Sequence, residues 1–337
     1  MINPLESWAG QNPLLEIETS FSAYLSARTR SFKDHVVGGR LDYAFDADFH
    51  MRQKINNLSG WSKIYKSLVG NDIPNRFKKV FQSTSAAGSL LFPNAYEAAK
   101  ICAERLQISV PNVYVRNAAD KLDIYSISAP DVEDCIVITS GFYEACTKEE
   151  MIFLIGRECG HIQNNHCIYN LSASYFGYRN EDGFSSGDEN VQNSEGVLKQ
   201  LNTTLLAWSR LADVTSDRAG IICLDNPHNF PEIMNSLYEK GIITIGNRLD
   251  NFLDLERIKQ SYESIHITPA RNIKLDDNYN FIDRRILAGL EFLNCEAFYN
   301  WRSDFNKNDI HTMNKQALEV RCEIIIDSAK EGTKNVR

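Results

Sequence analysis

The chain has 337 residues, of which 43% are apolar and 24% charged, a globular composition that excludes disordered and fibrous proteins. Asp and Glu outnumber Lys and Arg by 44 to 36, which gives a net charge of −8. This balance argues against nucleic acid as a partner, because phosphate contacts need clustered Lys and Arg, and against an anionic membrane surface.

The cysteines and the apolar stretches predict the compartment. No run of about 18 apolar residues could cross a membrane, and the first twenty residues lack the basic and apolar regions of a secretory signal. The eight cysteines form no CxxC pair, so reduced core thiols are expected. We therefore predict a cytoplasmic protein.

The predicted elements begin with helices and continue with a small sheet. Helical patterns dominate residues 1–109, and Pro93 starts one periodic segment. Within them, NRFKKVF (75–81) is interpreted as a solvated helix face with a buried stripe and not as a binding patch. Three runs rich in Val, Ile and Tyr predict strands: VPNVYVRN, LDIYSISAP and DCIVITSGF. With the helices that follow, this order predicts an α+β fold, mostly helical around a small β-sheet.

The next helix carries a candidate catalytic motif. A capping box over Thr147–Glu150 leads into MIFLIGRECGHIQNNH. Arg157 and His161 are one turn apart on this helix and share a face, with Glu158 between them in the chain. In the zinc-hydrolase pattern HExxH, two histidines at this spacing hold the metal and the Glu is the general base.

Two glycines on the same helix, Gly156 and Gly160, indicate a close neighbour. Each costs a helix interior roughly 1 kcal/mol relative to Ala, so a compensating contact is expected. A sheet, a bound chain or a plain helix–helix contact would each provide one.

An acidic segment and a second long helix complete the central region. Residues 179–196 contain five acids and three glycines, which predicts an exposed, mobile loop, either a lid over a cleft or an inert connector. A helical pattern over about 198–224 carries Asp213 and Asp217 one turn apart. Taken alone, such acids more often form ion pairs with bases such as Arg210 than bind a metal.

Taken together, these segments resemble the HExxH zinc metallopeptidases of the prenyl-protease and HtpX-like type over roughly residues 90–275. The order of elements matches, DVTSDRAG (213–220) resembles the family's ExxxDRAG pattern, and TPAR (268–271) resembles its His-Pro-x-x-Arg segment. The resemblance implies a zincin-like fold whose edge strand lines the cleft and binds an extended peptide or protein segment. It also implies a core over 90–275, helical extensions over 1–89 and 276–337, and one compact domain.

The resemblance assigns candidate roles by position. The edge-strand residues are Tyr125, Ser126 and Ile127. The site residues are Glu158 as general base, His161 and Asp213 as zinc ligands, and Asp217 and Arg218 as supports behind them.

The chain departs from the family pattern in three places. Arg157 replaces the first histidine, Asp213 replaces a glutamate, and the edge strand lacks the usual Asn-Ala-Phe-type start. A guanidinium stays protonated and has no lone pair, so Arg157 cannot ligate zinc. We expect it to take the cation's position and to form ion pairs with Asp213, Asp217 or Glu158. His166 is expected to point away from His161, because five residues correspond to about 140° around a helix.

The leading hypothesis is an inactive pseudopeptidase with a degenerate zinc site, acting as a binding or regulatory protein, with the loss of zinc favoured over its retention. One alternative is an active zinc endopeptidase with Glu158 as general base and an unusual ligand set. Another is a structural helical protein with accidental motif similarity. Substrate, partner identity and oligomeric state are not predicted.

Overall fold

A computed structural model describes residues 35–181, 189–244, 253–275, 278–305 and 312–327. A short hairpin of β1 (Val36–Val37) and β2 (Arg40–Leu41) precedes the first helices. The helices before the main sheet are α1 (Asp46–Asn56), α2 (Trp61–Ser67), a π-helical turn (Leu68–Asp72) and α3 (Ile73–Ser83).

The main sheet has four strands in the order β3-β4-β6-β5. They are β3 (Thr84–Ala86), β4 (Asn112–Arg116), β5 (Ile124–Ala129) and β6 (Val132–Thr139), and α4 (Pro93–Arg105) lies between β3 and β4 in the chain. β4 runs parallel to β6, and the other two pairings are antiparallel. The three predicted strands are therefore present and LDIYSISAP forms the edge strand β5. β3 was missed, because its three small residues carry no strand pattern.

The remaining helices follow the sheet. They are α5 (Ser140–Ala145), α6 (Lys148–Gln163), α7 (Cys167–Glu181), α8 (Glu189–Cys223), α9 (Phe230–Glu239), α10 (Leu255–Ile267), α11 (Phe281–Leu293), α12 (Glu296–Trp301) and α13 (Lys315–Asp327). This arrangement of helices around a small mixed sheet confirms the predicted α+β fold, mostly helical around a small β-sheet.

Alternate residues of β4 and β6 point to opposite faces of the sheet and belong to two different core clusters. Val113 and Ile136 belong to the larger cluster, together with apolar residues of α4, α6 and α8. Tyr114 and Val137 belong to the smaller cluster, with residues of α2, α3 and the part of α8 from Leu201 to Ala212. The sheet therefore separates the motif helix α6 from the N-terminal helices α2 and α3.

The predicted loop over 179–196 is wrong as bounded. α7 continues to Glu181 and α8 begins at Glu189, and residues 182–188 lie outside the described residues. The acids and glycines of this segment favour a break between helices, although Glu189, Gln192 and Glu195 are good helix formers in the sequence. The loop's mobility and lid role stay predictions.

No helix in the described part of the chain is long and apolar enough to cross a membrane. The eight cysteines are free, and seven of them are buried, as the sequence predicted. The division at residues 89 and 275 stays a prediction, but β3 pairs with β4 across the first of these boundaries.

Candidate functional site

The site lies where α6 crosses α8. The N-terminus of α6 is fixed by the predicted capping box, in which Thr147 Oγ1 accepts from the N–H of Glu150 and Glu150 Oε2 accepts from the N–H of Thr147. A Cβ atom on Gly160 would lie 2.5 Å from the Cβ of Ala219, and one on Gly156 would lie 3.1 Å from the Cα of Gly220. Of the three predicted neighbours of these glycines, the helix–helix contact is the one present.

This close crossing brings Arg157 of α6 onto two carboxylates of α8. Arg157 Nη2 donates to Asp213 Oδ1 at 2.6 Å, and Arg157 Nε lies 2.9 Å from Asp217 Oδ1. The same Nη2 atom lies 3.2 Å from the hydroxyl of Ser216. The Arg157 side chain is 11% exposed and that of Asp217 is 2% exposed, so this pair is largely removed from solvent screening, whereas the Asp213 side chain is 32% exposed.

A second arginine, Arg285 of α11, completes the cluster from the other side. Its Nε and Nη2 atoms each donate to Asp217 at 2.7 Å, and its Nη1 atom lies 3.8 Å from Asp213 Oδ2. Asp217 is thus bound by two guanidinium groups. We name Arg157, Asp213, Asp217 and Arg285 the ion-pair cluster.

The cluster is held together electrostatically. Burial raises the pKa of Asp213, but the charges of Arg285 and Arg157 outweigh it and hold that pKa below its ordinary value. Burial lowers the pKa of Arg285, but Asp213 and Asp217 outweigh it and raise that pKa further above the usual range. Asp213 and Arg285 are therefore charged throughout the neutral range.

Sequence reasoning missed Arg285, which lies 68 residues from Asp217 in the chain. The signal was the pair of arginines in IDRRILAGL, because a charged residue inside an apolar helix must find a partner. Conversely, Arg218 does not act as the predicted support behind the site. It is 1% exposed and donates to Glu319 and to the carbonyl of Tyr43, because consecutive helix positions face about 100° apart.

Glu158 is directed toward the edge strand and not toward Arg157. Ser126 Oγ of β5 donates to Glu158 Oε2 at 2.7 Å, and Glu158 is 8% exposed. Tyr125 and Ile127 alternate with Ser126 and belong to the smaller core cluster on the other face. Of the three predicted strand residues, Ser126 is the one bonded to a motif residue.

His161 contacts a second histidine that the sequence analysis placed elsewhere. Its Nδ1 atom lies 3.0 Å from Nδ1 of His166, so the prediction that His166 points away is wrong. The rotation argument fails because α6 ends at Gln163 and Asn165 adopts a left-handed conformation with φ 57°. Burial, the largest cause, lowers the pKa of His161 to about 4.

Asp48 of α1 continues this polar chain behind the site. Its Oδ2 atom lies 3.0 Å from Nε2 of His166 and accepts from Thr215 Oγ1 at 2.7 Å. Its Oδ1 atom accepts from Trp208 Nε1 at 2.7 Å and from Arg52 Nε at 3.1 Å. Asp48 is fully buried, and its charge is compensated by three hydrogen-bond donors and by the adjacent ring of His166.

The donor set does not fit a catalytic zinc ion, which usually takes three protein ligands. No group of three or more His, Cys, Asp and Glu side chains in the described ranges could hold a metal ion. Arg157 offers no lone pair, and Asp213, a predicted ligand, is bound to it. His161 remains beside them with a low pKa. The roles predicted for Glu158, His161 and Asp213 stay predictions.

Comparison with known proteins gives a family and a curated relative. The model of peptidase family M48 matches residues 95–267. A curated Arabidopsis thaliana protein, the plastoglobule-localized metallopeptidase 48, chloroplastic, is 25% identical over 171 residues, which are 50% of this chain and 46% of that relative. This chain thus covers less than half of that relative. No solved structure matches the chain. Although that relative's name places it in plastoglobules, the cytoplasmic location of the present chain stays a prediction.

Proposed function

The chain belongs to peptidase family M48, and we propose from that premise that it is a non-hydrolytic member that binds an extended peptide or protein segment. The metal position of the fold is taken by the ion-pair cluster, and the cleft along β5 keeps its capacity to hold a chain.

The observation that carries this proposal is the position of Arg157. Its guanidinium lies 2.6 Å from Asp213 and 2.9 Å from Asp217, and these carboxylates would otherwise attract a cation. A permanently charged guanidinium at this point repels a divalent ion and uses the lone pairs that the ion would need. Arg285 adds a second positive charge next to the same carboxylates.

The state of Glu158 supports the same proposal. A general base must reach the proton that it removes from a water or substrate. Here Oε2 of Glu158 accepts the hydroxyl of Ser126, which ties the motif helix to the edge strand. The proposal gives Glu158 this structural role, as the link between the motif helix and the edge strand, in place of a general base.

The edge strand supports peptide binding. β5 lies at one end of the sheet and pairs with β6 on its inner side. An extended segment can add to such an edge through main-chain hydrogen bonds, and the side chains at alternate positions then supply specificity.

The decisive experiment measures metal content in the full chain purified without chelators and without a metal-affinity tag. We expect well under one zinc per chain and no cleavage of casein. Arg157→His, which supplies an imidazole in place of the guanidinium, is expected to raise bound zinc toward one per chain. Arg116→His on the rim of the sheet controls for adventitious binding by an added histidine.

Stoichiometric zinc in the unmodified chain that is lost in His161→Ala would overturn the proposal. It would favour an active zinc endopeptidase with an unusual ligand set. Casein cleavage that is abolished by Glu158→Gln would do the same.

A further inference from the structure

The helices α2 and α3 carry a concentration of positive charge that the proposed function does not use, and it includes the run NRFKKVF (75–81), which the sequence alone favoured as a solvated face. From Trp61 to Ser83 the only acidic residue is Asp72, in a chain whose net charge is −8. Five basic side chains in this segment are exposed, and none of them forms an ion pair within the described ranges. They are Lys63, Lys66, Arg76, Lys78 and Lys79.

One of these cations reaches the edge strand. The Arg76 guanidinium lies over the ring of Tyr125 on β5, 5.5 Å from its centroid. Burial raises the pKa of Tyr125, while the nearby charges of Arg76 and Arg116 oppose that rise. Arg116 is already paired with Asp123 at 3.0 Å. Arg76 is therefore the cation at this strand that has no carboxylate partner among the described residues.

Successive side chains of a β-strand point to opposite faces of the sheet, and this fixes which side of a bound segment would meet the positive charge. Tyr125 faces α3, whereas Ser126 faces α6 and Glu158. A strand added to β5 would likewise send alternate side chains to these two sides. Side chains on the α3 side would lie beside Tyr125 and Arg76, and those on the α6 side would lie beside Ser126.

We propose that the segment held along β5 is acidic, with Asp or Glu at alternate positions directed toward Arg76. This inference rests on the proposed function, because it assumes that a peptide adds to β5. A carboxylate there would gain a charge-assisted hydrogen bond from the guanidinium. The other cations of α2 and α3 would raise the association rate of an acidic partner. A polypeptide is favoured over nucleic acid, because a strand edge recognises an extended main chain.

The test compares two fluorescein-labelled decapeptides binding to the full chain at low ionic strength, measured by fluorescence anisotropy. One peptide alternates Thr and Glu, and the other alternates Thr and Gln. We expect the Glu peptide to bind about tenfold more tightly, with the difference shrinking as salt is added. Arg76→Gln should reduce the preference to about twofold or less.

A matched control exists on the other face of the sheet. Lys100 of α4 is also exposed and also lies over a ring, 5.6 Å from the centroid of Tyr96. Lys100→Gln should leave the preference for the Glu peptide unchanged. A benzophenone placed at position 125 should crosslink to the Glu peptide, which locates the bound segment at β5.

The outcomes separate this inference from the proposed function. Equal binding of both peptides, or a preference that survives Arg76→Gln, overturns the inference and leaves peptide binding intact. Failure of both peptides to bind overturns the two together. Tighter Arg76-dependent binding to phosphatidylserine vesicles than to the Glu peptide would also overturn the inference.

Discussion

Arg157 and Asp213 join the motif helix α6 to the long helix α8 through a hydrogen bond of 2.6 Å between Nη2 and Oδ1. The pair lies 56 residues apart in the chain, so it forms only when the two helices cross. Asp217 and Arg285 extend it to a third helix, α11. The ion-pair cluster therefore holds three helices together.

Removing Arg157 should destabilise the protein. Arg157→Met leaves Asp217, which is 2% exposed, with Arg285 as its remaining cation. Breaking a buried pair costs roughly 3–5 kcal/mol, and the surviving arginine places the expected loss in the free energy of unfolding near 3 kcal/mol. Urea unfolding at pH 7 measures it.

The control for Arg157→Met is Lys148→Met. Lys148 pairs with Glu97, and both side chains are 57% exposed, so this change should cost no more than about 0.5 kcal/mol. Equal unfolding midpoints for the two variants would contradict a structural role for the ion-pair cluster.

Stability should fall as the pH is lowered from 6.5 to 4, because of His161. Its pKa is lowered from 6.5 to about 4 by burial, so the unfolded chain binds more protons in this window. The contribution of the neutral His161 to the free energy of unfolding is fully present above pH 6.5 and is lost as the pH falls to about 4. The total loss is about 3 kcal/mol. Urea unfolding at several pH values should show a shallower decline for His161→Gln than for the unmodified chain.

The control variant for this pH dependence is His50→Gln. His50 lies on the exposed side of α1, and its replacement should leave the slope unchanged. A slope that is the same with and without His161 would show that this histidine is not held neutral by the fold.

Local sequence rules predicted the features that depend on spacing along one helix. The capping box over Thr147–Glu150 and the shared face of Arg157 and His161 follow from the helical repeat, as does the close contact at Gly160. The charge of a guanidinium predicted an ion pair of Arg157 with Asp213, Asp217 or Glu158. Asp213 and Asp217 are the carboxylates that it meets, whereas Glu158 accepts from Ser126.

Features that depend on where a helix ends, or on contacts between elements far apart in the sequence, could not be predicted from helical spacing. Arg285 enters from α11, and Asp48 enters from α1 at 160 residues from its partner Trp208. His166 was misplaced because the helical rotation stops at Gln163. Each of these contacts is set by the packing of elements that are far apart in sequence, which one-dimensional periodicity does not encode.

Asp48 should be a strong determinant of stability. Asp48→Asn replaces a carboxylate oxygen by an NH₂ group that faces donors on Trp208, Thr215 or His166. Donors left without an acceptor in the core cost roughly 1–3 kcal/mol each, so we expect a loss of about 3 kcal/mol. Asp120→Asn is the surface control, since Asp120 is exposed and the change should stay within about 0.5 kcal/mol. A loss for Asp48→Asn no greater than for the control would show that the donors find other acceptors.

Two Gly→Ala substitutions should have opposite signs. At Gly160 the new Cβ would lie 2.5 Å from Ala219 Cβ, so α6 and α8 must move apart. That overpacking should cost about 1–3 kcal/mol and outweigh the roughly 1 kcal/mol that Ala gains over Gly in a helix. At Gly70, in the π-helical turn, nothing lies within 4 Å of a new Cβ, so Gly70→Ala should stabilise the protein by up to about 1 kcal/mol. Urea unfolding compares the two, and a stabilising Gly160→Ala would mean that the α6–α8 crossing can widen without loss.

Because Arg157 and Asp217 span this same crossing, Gly160→Ala combined with Arg157→Met should cost less than the sum of the two single changes.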